Sequence, residues 1–290
     1  MRSSRLAAHP HRGLWAAIAT MHGKENAIAP ALCGWFEMTV TSAPGIDTDT
    51  LGTFTGEIAR AGTMVDAARA KAKLAIERTG AHLGVGSEGA FGPHPYIPFL
   101  ASGQEVLVLL DAKTGHEIIV HRRTPTNFDH EVLSPAEDPA PFLNRVGFPG
   151  HAVVVRPEDT ADTSLVVAKG ITDLQTLRRA IREIGARSAS GRVMIQTDMR
   201  AHLNPTRMAG IARTAKWLAV RAARCCPHCG RPGFGALEVE RGLPCGDCGA
   251  PTRLVRAEIH GCKACDHRIR RFERSKRSRA EARWCELCNP

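Results

Sequence analysis

Between residues 226 and 288 stand four C-x-x-C pairs: Cys226/Cys229, Cys245/Cys248, Cys262/Cys265 and Cys285/Cys288, spaced 15, 13 and 19 residues apart. No other feature constrains this chain as tightly. Two thiolates three positions apart grip one side of a tetrahedral ion, and a second pair completes the shell. Four pairs therefore specify two structural Zn²⁺ sites. Four thiolates around an ion leave no open coordination position, which argues against chemistry at the metals themselves. Upstream of Cys225 only Cys33 is present. Cysteines confined to such pairs point to metal binding in a reducing compartment rather than to disulfides, so a cytoplasmic location is expected. Sequential pairing of the motifs is the favoured connectivity, because each half then forms a compact ribbon; the alternative crosses them, first with third and second with fourth. Cys225 is a spare neighbour, and His228, His260 and His267 are reserve ligands.

The 290 residues, 43% of them hydrophobic, suffice for one sizeable core and a small appended module. The expected division is an α/β domain over residues 1–224 and a double zinc ribbon over 225–290. The formal charge of +10 favours partners that carry phosphate, either nucleotides or nucleic acid. Nine of the Lys and Arg residues fall in segment 263–283. A zinc ribbon with such a loop can contact nucleic acid through phosphates, with Phe272 and Trp284 available for stacking; the plainer reading is a solvated charged arm. The apolar run near the N-terminus, Leu14 to Thr20, reads as a buried strand rather than a signal segment, and no run has the length of a membrane span.

Periodicity places strands at about 13–20, 35–41, 83–86, 105–111, 116–121, 151–156, 164–168 and 192–197. Helices are expected over 63–78, 172–185 and 205–223, the last opened by Asn204 and Pro205. This is an α/β pattern with a mixed central sheet and flanking helices.

Three segments carry the candidate chemistry: ATMHGKE (19–25), GTMVDAARAKAKLAIERTG (62–80) and LGVGSEGAF (83–91). In order and spacing they resemble the inosine triphosphate pyrophosphatase superfamily, Mg-dependent hydrolases that cleave non-canonical purine nucleoside triphosphates to monophosphates. The likeness covers about the first 120 residues. It implies an α/β fold around a long mixed sheet with a cleft between two lobes. It implies that Lys24 grips the triphosphate in a loop begun by Thr20. It also implies that Asp66 and Glu88 hold Mg²⁺ and that Lys71 contacts substrate. Met21 stands where the family commonly has Asn, and GSEG has one acid where the classical branch has two. Mg²⁺ needs only one or two carboxylates beside its waters, so the chemistry is coherent. Glu57 is a further acid that could act as base or ligand, and His94 in the Pro-flanked GPHP segment could touch substrate. The plainer readings are a surface Asp66 on an amphipathic helix, with Lys71 its solvated neighbour, and glycines that merely make a bend.

The segment TDMRAHLNPTRM (197–208) sets Asp198, Arg200, His202, Asn204 and Arg207 ahead of a helix, where Arg200 and Arg207 could bind phosphate. From ATMHGKE through to the four cysteine pairs, the whole chain also resembles a bacterial domain-of-unknown-function family, which brings no activity with it. The leading expectation is a nucleoside triphosphate phosphohydrolase; the alternative is a non-enzymatic nucleic-acid-binding protein working through its zinc module.

Overall fold

The computed structural model describes residues 9–46, 62–159, 168–272 and 278–289. Glu57, most of the strand expected at 164–168 and part of the basic segment, 273–277, lie outside the described residues. The chain forms two compact units, His11–Ala219 and a second made of Val220 onward with the N-terminal residues up to Pro10. The passage between them lies inside a helix rather than at Arg224.

In the larger unit, β1 (Trp15–Ile18) leads through a short loop into α1 (Glu25–Phe36) and β2 (Thr39–Ser42). α2 (Met64–Thr79) precedes the long β3 (Leu83–His94) and β4 (Ile97–Asp111), followed by β5 (Glu117–Thr124). These strands make a five-stranded mixed sheet in the order β2-β1-β3-β4-β5, parallel on the β2/β1/β3 side and antiparallel on the other. A second, antiparallel sheet follows: β6 (His130–Leu133), β7 (Val153–Pro157), β8 (Ala168–Ile171) and β9 (Val193–Thr197), in the order β6-β9-β7-β8. α3 (Ala140–Val146) and α4 (Leu174–Gly185) share its core through Phe142, Val146, Leu177, Ile181 and Ile184. The expected mixed sheet is therefore present, but the later strands build a sheet of their own. α5 (Pro205–Ala222) ends the unit.

β6 and α3 stand where no element was expected, and two further elements differ from expectation. Residues 35–36 end a helix instead of starting a strand. Pro30 and Gly34 lower the helical propensity of ENAIAPALCGWF, and the helix forms because it buries Ala27, Ile28, Ala31, Leu32 and Phe36. β3 also runs on through GVGSEGAFGPH as one strand rather than breaking at Gly86.

The glycines of that strand explain how α2 is seated. A Cβ at Gly84 would lie 2.1 Å from the Ala72 carbonyl oxygen, and one at Gly86 would lie 1.7 Å from that of Ala68. Gly84 and Gly86 thus admit the helix backbone itself, not a ligand. The helix answers with small residues: Ala68, Ala72 and Ala75 are fully buried. Its ends are set by a Thr63/Asp66 capping box and by Gly80 in the left-handed conformation.

Gly86→Ala should lower unfolding stability by roughly 1–3 kcal/mol or more, because helix backbone rather than a flexible side chain must move. Gly92→Ala, where an added Cβ meets nothing within 4 Å, should stay near wild type. Urea denaturation of the two variants side by side checks this.

Candidate functional site

The second unit holds β10 (Gly235–Arg241), β11 (Val255–Gly261) and β12 (Arg268–Phe272) in one antiparallel sheet. Two four-cysteine clusters lie on it: Cys226, Cys229, Cys262 and Cys265, and Cys245, Cys248, Cys285 and Cys288. An ion with ~2.3 Å bonds to sulfur in tetrahedral array holds its thiolates about 3.8 Å apart. Sulfur separations of 3.7 Å for Cys226–Cys265 and Cys229–Cys262, and of 3.9 and 3.6 Å for Cys245–Cys288 and Cys248–Cys285, fit that array.

The pairing is the crossed one, which corrects the sequential expectation. Cys229 precedes β10 and Cys245 follows it, so seven extended residues, about 24 Å, hold those two knuckles apart. The β11–β12 turn instead returns Cys262 and Cys265 to the end where β10 begins, since Gly235 pairs with Gly261 and Gly261 with Arg268. A parallel bridge from Cys245 to Ala280 leads the last pair to the second site.

Backbone N–H groups of Cys248 and Asp247 point at the Cys245 sulfur and pull its pKa down to about 7. At Cys226 burial pushes upward, but the N–H groups of Cys229 and His228 outweigh it and leave about 7. Cys225 joins neither cluster. The three histidines are not ligands: His228 stacks on His267 with centroids 5.8 Å apart, and the His260 ring meets Glu258 at 2.7 Å.

The larger unit gathers a different set of groups. β1 pairs with β3 as far as Val85, where the chain leaves β1 for the loop before α1. Successive β3 residues face opposite sides of the sheet. Glu88 faces α2, where Lys71 meets it at 2.6 Å, both side chains mostly buried. Glu105 pairs in register with Gly89 on the other side, where Arg207 at the start of α5 meets it at 2.9 Å. A Cβ at Gly89 would stand 2.5 Å from the Arg207 guanidinium and 2.9 Å from Glu105, so this pair requires the glycine. Arg207 also donates to the Met199 carbonyl and stacks 4.9 Å from the Phe91 ring centre. Asn204 caps α5 by accepting from the Arg207 N–H at 3.0 Å.

Lys24 sits beside β3 at Ser87, within the field of both ion pairs. It is 7% exposed, and among the described residues its hydrogen-bond partner is Ser87 Oγ at 3.5 Å. Burial, then the charges of Arg207 and Lys71, push its amine down to about 7, with Glu105 and Glu88 offsetting part of the effect. His22, in the same loop, stacks on His202 at 4.9 Å. Burial, followed by the charges of Lys24, His202, Arg207 and Arg200, lowers His22 to about 4, so its ring is neutral at neutral pH. Thr20 Oγ1 accepts from the His22 N–H at 3.2 Å and shapes the loop. One carboxylate oxygen of Glu105, fully buried, has no hydrogen-bond partner among the described residues.

Of the residues singled out from sequence, Lys71 pairs with Glu88, and Lys24 lies within electrostatic reach of that pair and of Arg207. Arg200 lies at the rim, clamped to buried Asp198 at 2.6 Å. Asp66 does not join them. Its Oδ2 accepts from the Thr63 N–H and hydroxyl, its Oδ1 pairs with Arg69 at 2.7 Å, and these bonds, led by Thr63, lower its pKa. It lies about 140° round the helix from Lys71. The expected Asp66/Glu88 metal pair is thus not formed, because Asp66 is spent on capping its own helix. His94 lies about 20 Å beyond Glu88 along β3. There it accepts from the Tyr96 N–H at 3.3 Å and meets Arg123 at 3.4 Å. Sequence reading missed Glu105 and gave His22 and His202 no role of their own; an acid at the head of the apolar run EVLVLLD was the available signal.

The crossed pairing predicts zinc stoichiometry. The wild type should hold two zinc ions per chain, Cys226→Ser/Cys262→Ser should retain one, and Cys226→Ser/Cys245→Ser should retain none. Elemental analysis of the purified variants distinguishes this from sequential pairing, which predicts the reverse.

No curated protein and no solved structure matches the chain. A family model does, described as Domain of unknown function (DUF6671), over residues 71–290. The match begins at Lys71 within α2 and takes in Glu88, Glu105, Arg200, Arg207 and all eight paired cysteines, whereas Thr20, His22, Lys24 and Asp66 precede it. Matched over most of its length, the chain belongs to the DUF6671 family.

Proposed function

We propose that the larger unit is a nucleotide phosphohydrolase that takes the phosphate chain of a nucleoside triphosphate at the Lys24 cluster and releases pyrophosphate. The observation that carries this reading is Lys24, a buried amine that no carboxylate pairs with among the described residues, in the field of two further cations. When Lys24 is protonated, Lys24, Lys71 and Arg207 outnumber Glu88 and Glu105 by one charge. An anion entering there supplies the missing partner and restores the amine to its charged form. The order of the ATMHGKE, helix and GVGSEG segments supports a non-canonical purine triphosphate as substrate, by resemblance to the inosine triphosphate pyrophosphatase superfamily.

Magnesium enters this reading with the substrate rather than through an Asp66/Glu88 pair. Mg²⁺ commonly keeps several waters and takes one or two protein carboxylates beside the phosphates it bridges. Glu88 is the carboxylate for that role, released when Lys71 turns from it to a phosphate. In this reading Glu105, whose second oxygen has no hydrogen-bond partner among the described residues, accepts the proton of the attacking water. That water bonds to the α-phosphorus while the bond to the bridging oxygen breaks and pyrophosphate leaves.

A screen of nucleoside triphosphates with Mg²⁺ for released pyrophosphate tests the proposal. Turnover is expected, with a fall of roughly 10²–10³ in kcat/KM for Lys24→Met; no turnover of any triphosphate would end it. Anion binding also carries a pH signature. The Lys24 pKa is lowered from 10.5 to about 7, so the unliganded amine is charged below that pH and neutral above it. Affinity for pyrophosphate should therefore weaken as pH rises from about 6 to 9, and this dependence should be lost in Lys24→Met. For the free protein the unfolded state binds more protons between those two pKa values, so Lys24 makes stability rise with pH across that window.

The exposed aromatics of the zinc unit favour a second reading. Phe272 is 70% exposed beneath Arg270 at 4.6 Å, and Trp284 is 51% exposed beside Arg283 at 5.7 Å. Such ring and guanidinium pairs suit stacking on single-stranded nucleic acid. Arg268 and Arg270 are already tied to Glu238 and Glu240, which weakens this surface as a phosphate binder.

A further inference from the structure

Past Phe91 on β3 and before Gly103 on β4, the two strands pair in register only with each other among the described residues. They form an arm that leaves the sheet. Its turn carries Tyr96, 85% exposed, and Phe99, 87% exposed, with Leu100 at 50% and Ile97 at 37%. Large apolar side chains at such exposure, gathered on one short hairpin, form a patch of the kind that marks an interaction surface. A two-stranded ribbon gains little stability by itself, so folding does not account for these rings.

The chemistry of the arm narrows the partner. From Gly89 to Gln104 the chain has no Asp, Glu, Lys or Arg. A polyanion needs cations to neutralise its phosphates, and the arm offers none. A second copy of this chain meets a different problem: each carries a formal charge of +10, and most faces repel. The arm can approach its own image without that cost. It is also self-complementary, since each copy supplies both rings and the prolines (Pro93, Pro95 and Pro98) on which rings pack. Pro98 lacks an N–H, which discourages strand addition along the outer edge and leaves the side chains to make the contact. The four side chains expose roughly 400–500 Å² per copy, so two arms together reach about the 1,000 Å² that a specific interface needs.

We propose that the β3–β4 arm is a self-association surface through which two copies of the chain pair about a twofold axis. The contact is near the lower limit of area, so the dimer is a dissociable one. This claim is independent of the phosphohydrolase reading.

Sedimentation velocity on the full zinc-loaded chain, over about a hundredfold concentration range spanning the micromolar, tests it. The wild type should shift from one to two chains as concentration rises. Tyr96→Ser/Phe99→Ser should raise the dimer Kd at least about tenfold, as expected for buried aromatic anchors. Leu100→Lys should weaken it in low salt and recover partly in high salt, because it sets two like charges face to face. Leu174→Ser, at an exposed apolar position outside the arm, should change nothing. A far-UV circular dichroism spectrum and thermal unfolding midpoint close to wild type verify that each variant is folded. A wild type that stays monomeric throughout would overturn the proposal. So would a dimer indifferent to the arm variants, or arm-dependent capture of a single-stranded oligonucleotide by a monomer.

Discussion

The close seating of α2 on β3 is the contact from which the rest of the larger unit follows. Gly84 and Gly86 remove the side chains that would hold the helix off, and Ala68 and Ala72 put backbone where those side chains would be. Protein interiors pack at crystal-like density, so this approach fixes the helix to within a fraction of an ångström. One consequence is local. Lys71, one position before Ala72, is carried down onto Glu88, two positions after Gly86, and an ion pair forms where neither residue alone would remain buried. The other is topological. β3 continues as an unbroken strand past the end of β1, with Lys24 beside it at Ser87, and carries the arm beyond.

Electrostatics of the cluster then rest on the alternation of a strand. Glu88 faces one side of the sheet and Glu105, opposite Gly89, faces the other, so each has its own cation. Lys24 belongs to neither pair and feels both. A buried amine in that position is costly as a cation, and the burial-driven fall of its pKa expresses that cost. In the proposed reading an anionic ligand supplies the partner for that cation, since among the described residues Glu88 and Glu105 are each paired with another one. A phosphate group, with its several acceptor oxygens, answers the charge of Lys24 in that reading.

Much of this was legible in the sequence, and the exceptions have physical causes. The helix GTMVDAARAKAKLAIERTG and the zinc ligands were readable because their signals are local: a cap, a run of strong helix formers, and a fixed spacing of thiols. Zinc connectivity was not, because it depends on the length and direction of β10, a fact of the sheet. Asp66 looked like a metal ligand from its place in a motif, yet the same place, third after Thr63, makes it a capping residue. α1 was hidden by Pro30 and Gly34, whose unfavourable propensities are overridden by burial. Glu105 and Arg207 lie 102 residues apart, and only the fold shows that Gly89 leaves room for them to meet.

The central claim is that Lys24 is the focus of an anion site completed by a ligand. Calorimetric titration of inorganic tripolyphosphate into the full chain near pH 6.5 tests it directly, without requiring turnover. The account predicts saturable binding at one site per chain that is lost in Lys24→Met and retained in a variant of the zinc-unit arginines such as Arg270→Gln. Binding that survives in Lys24→Met, or is abolished by Arg270→Gln instead, would contradict it.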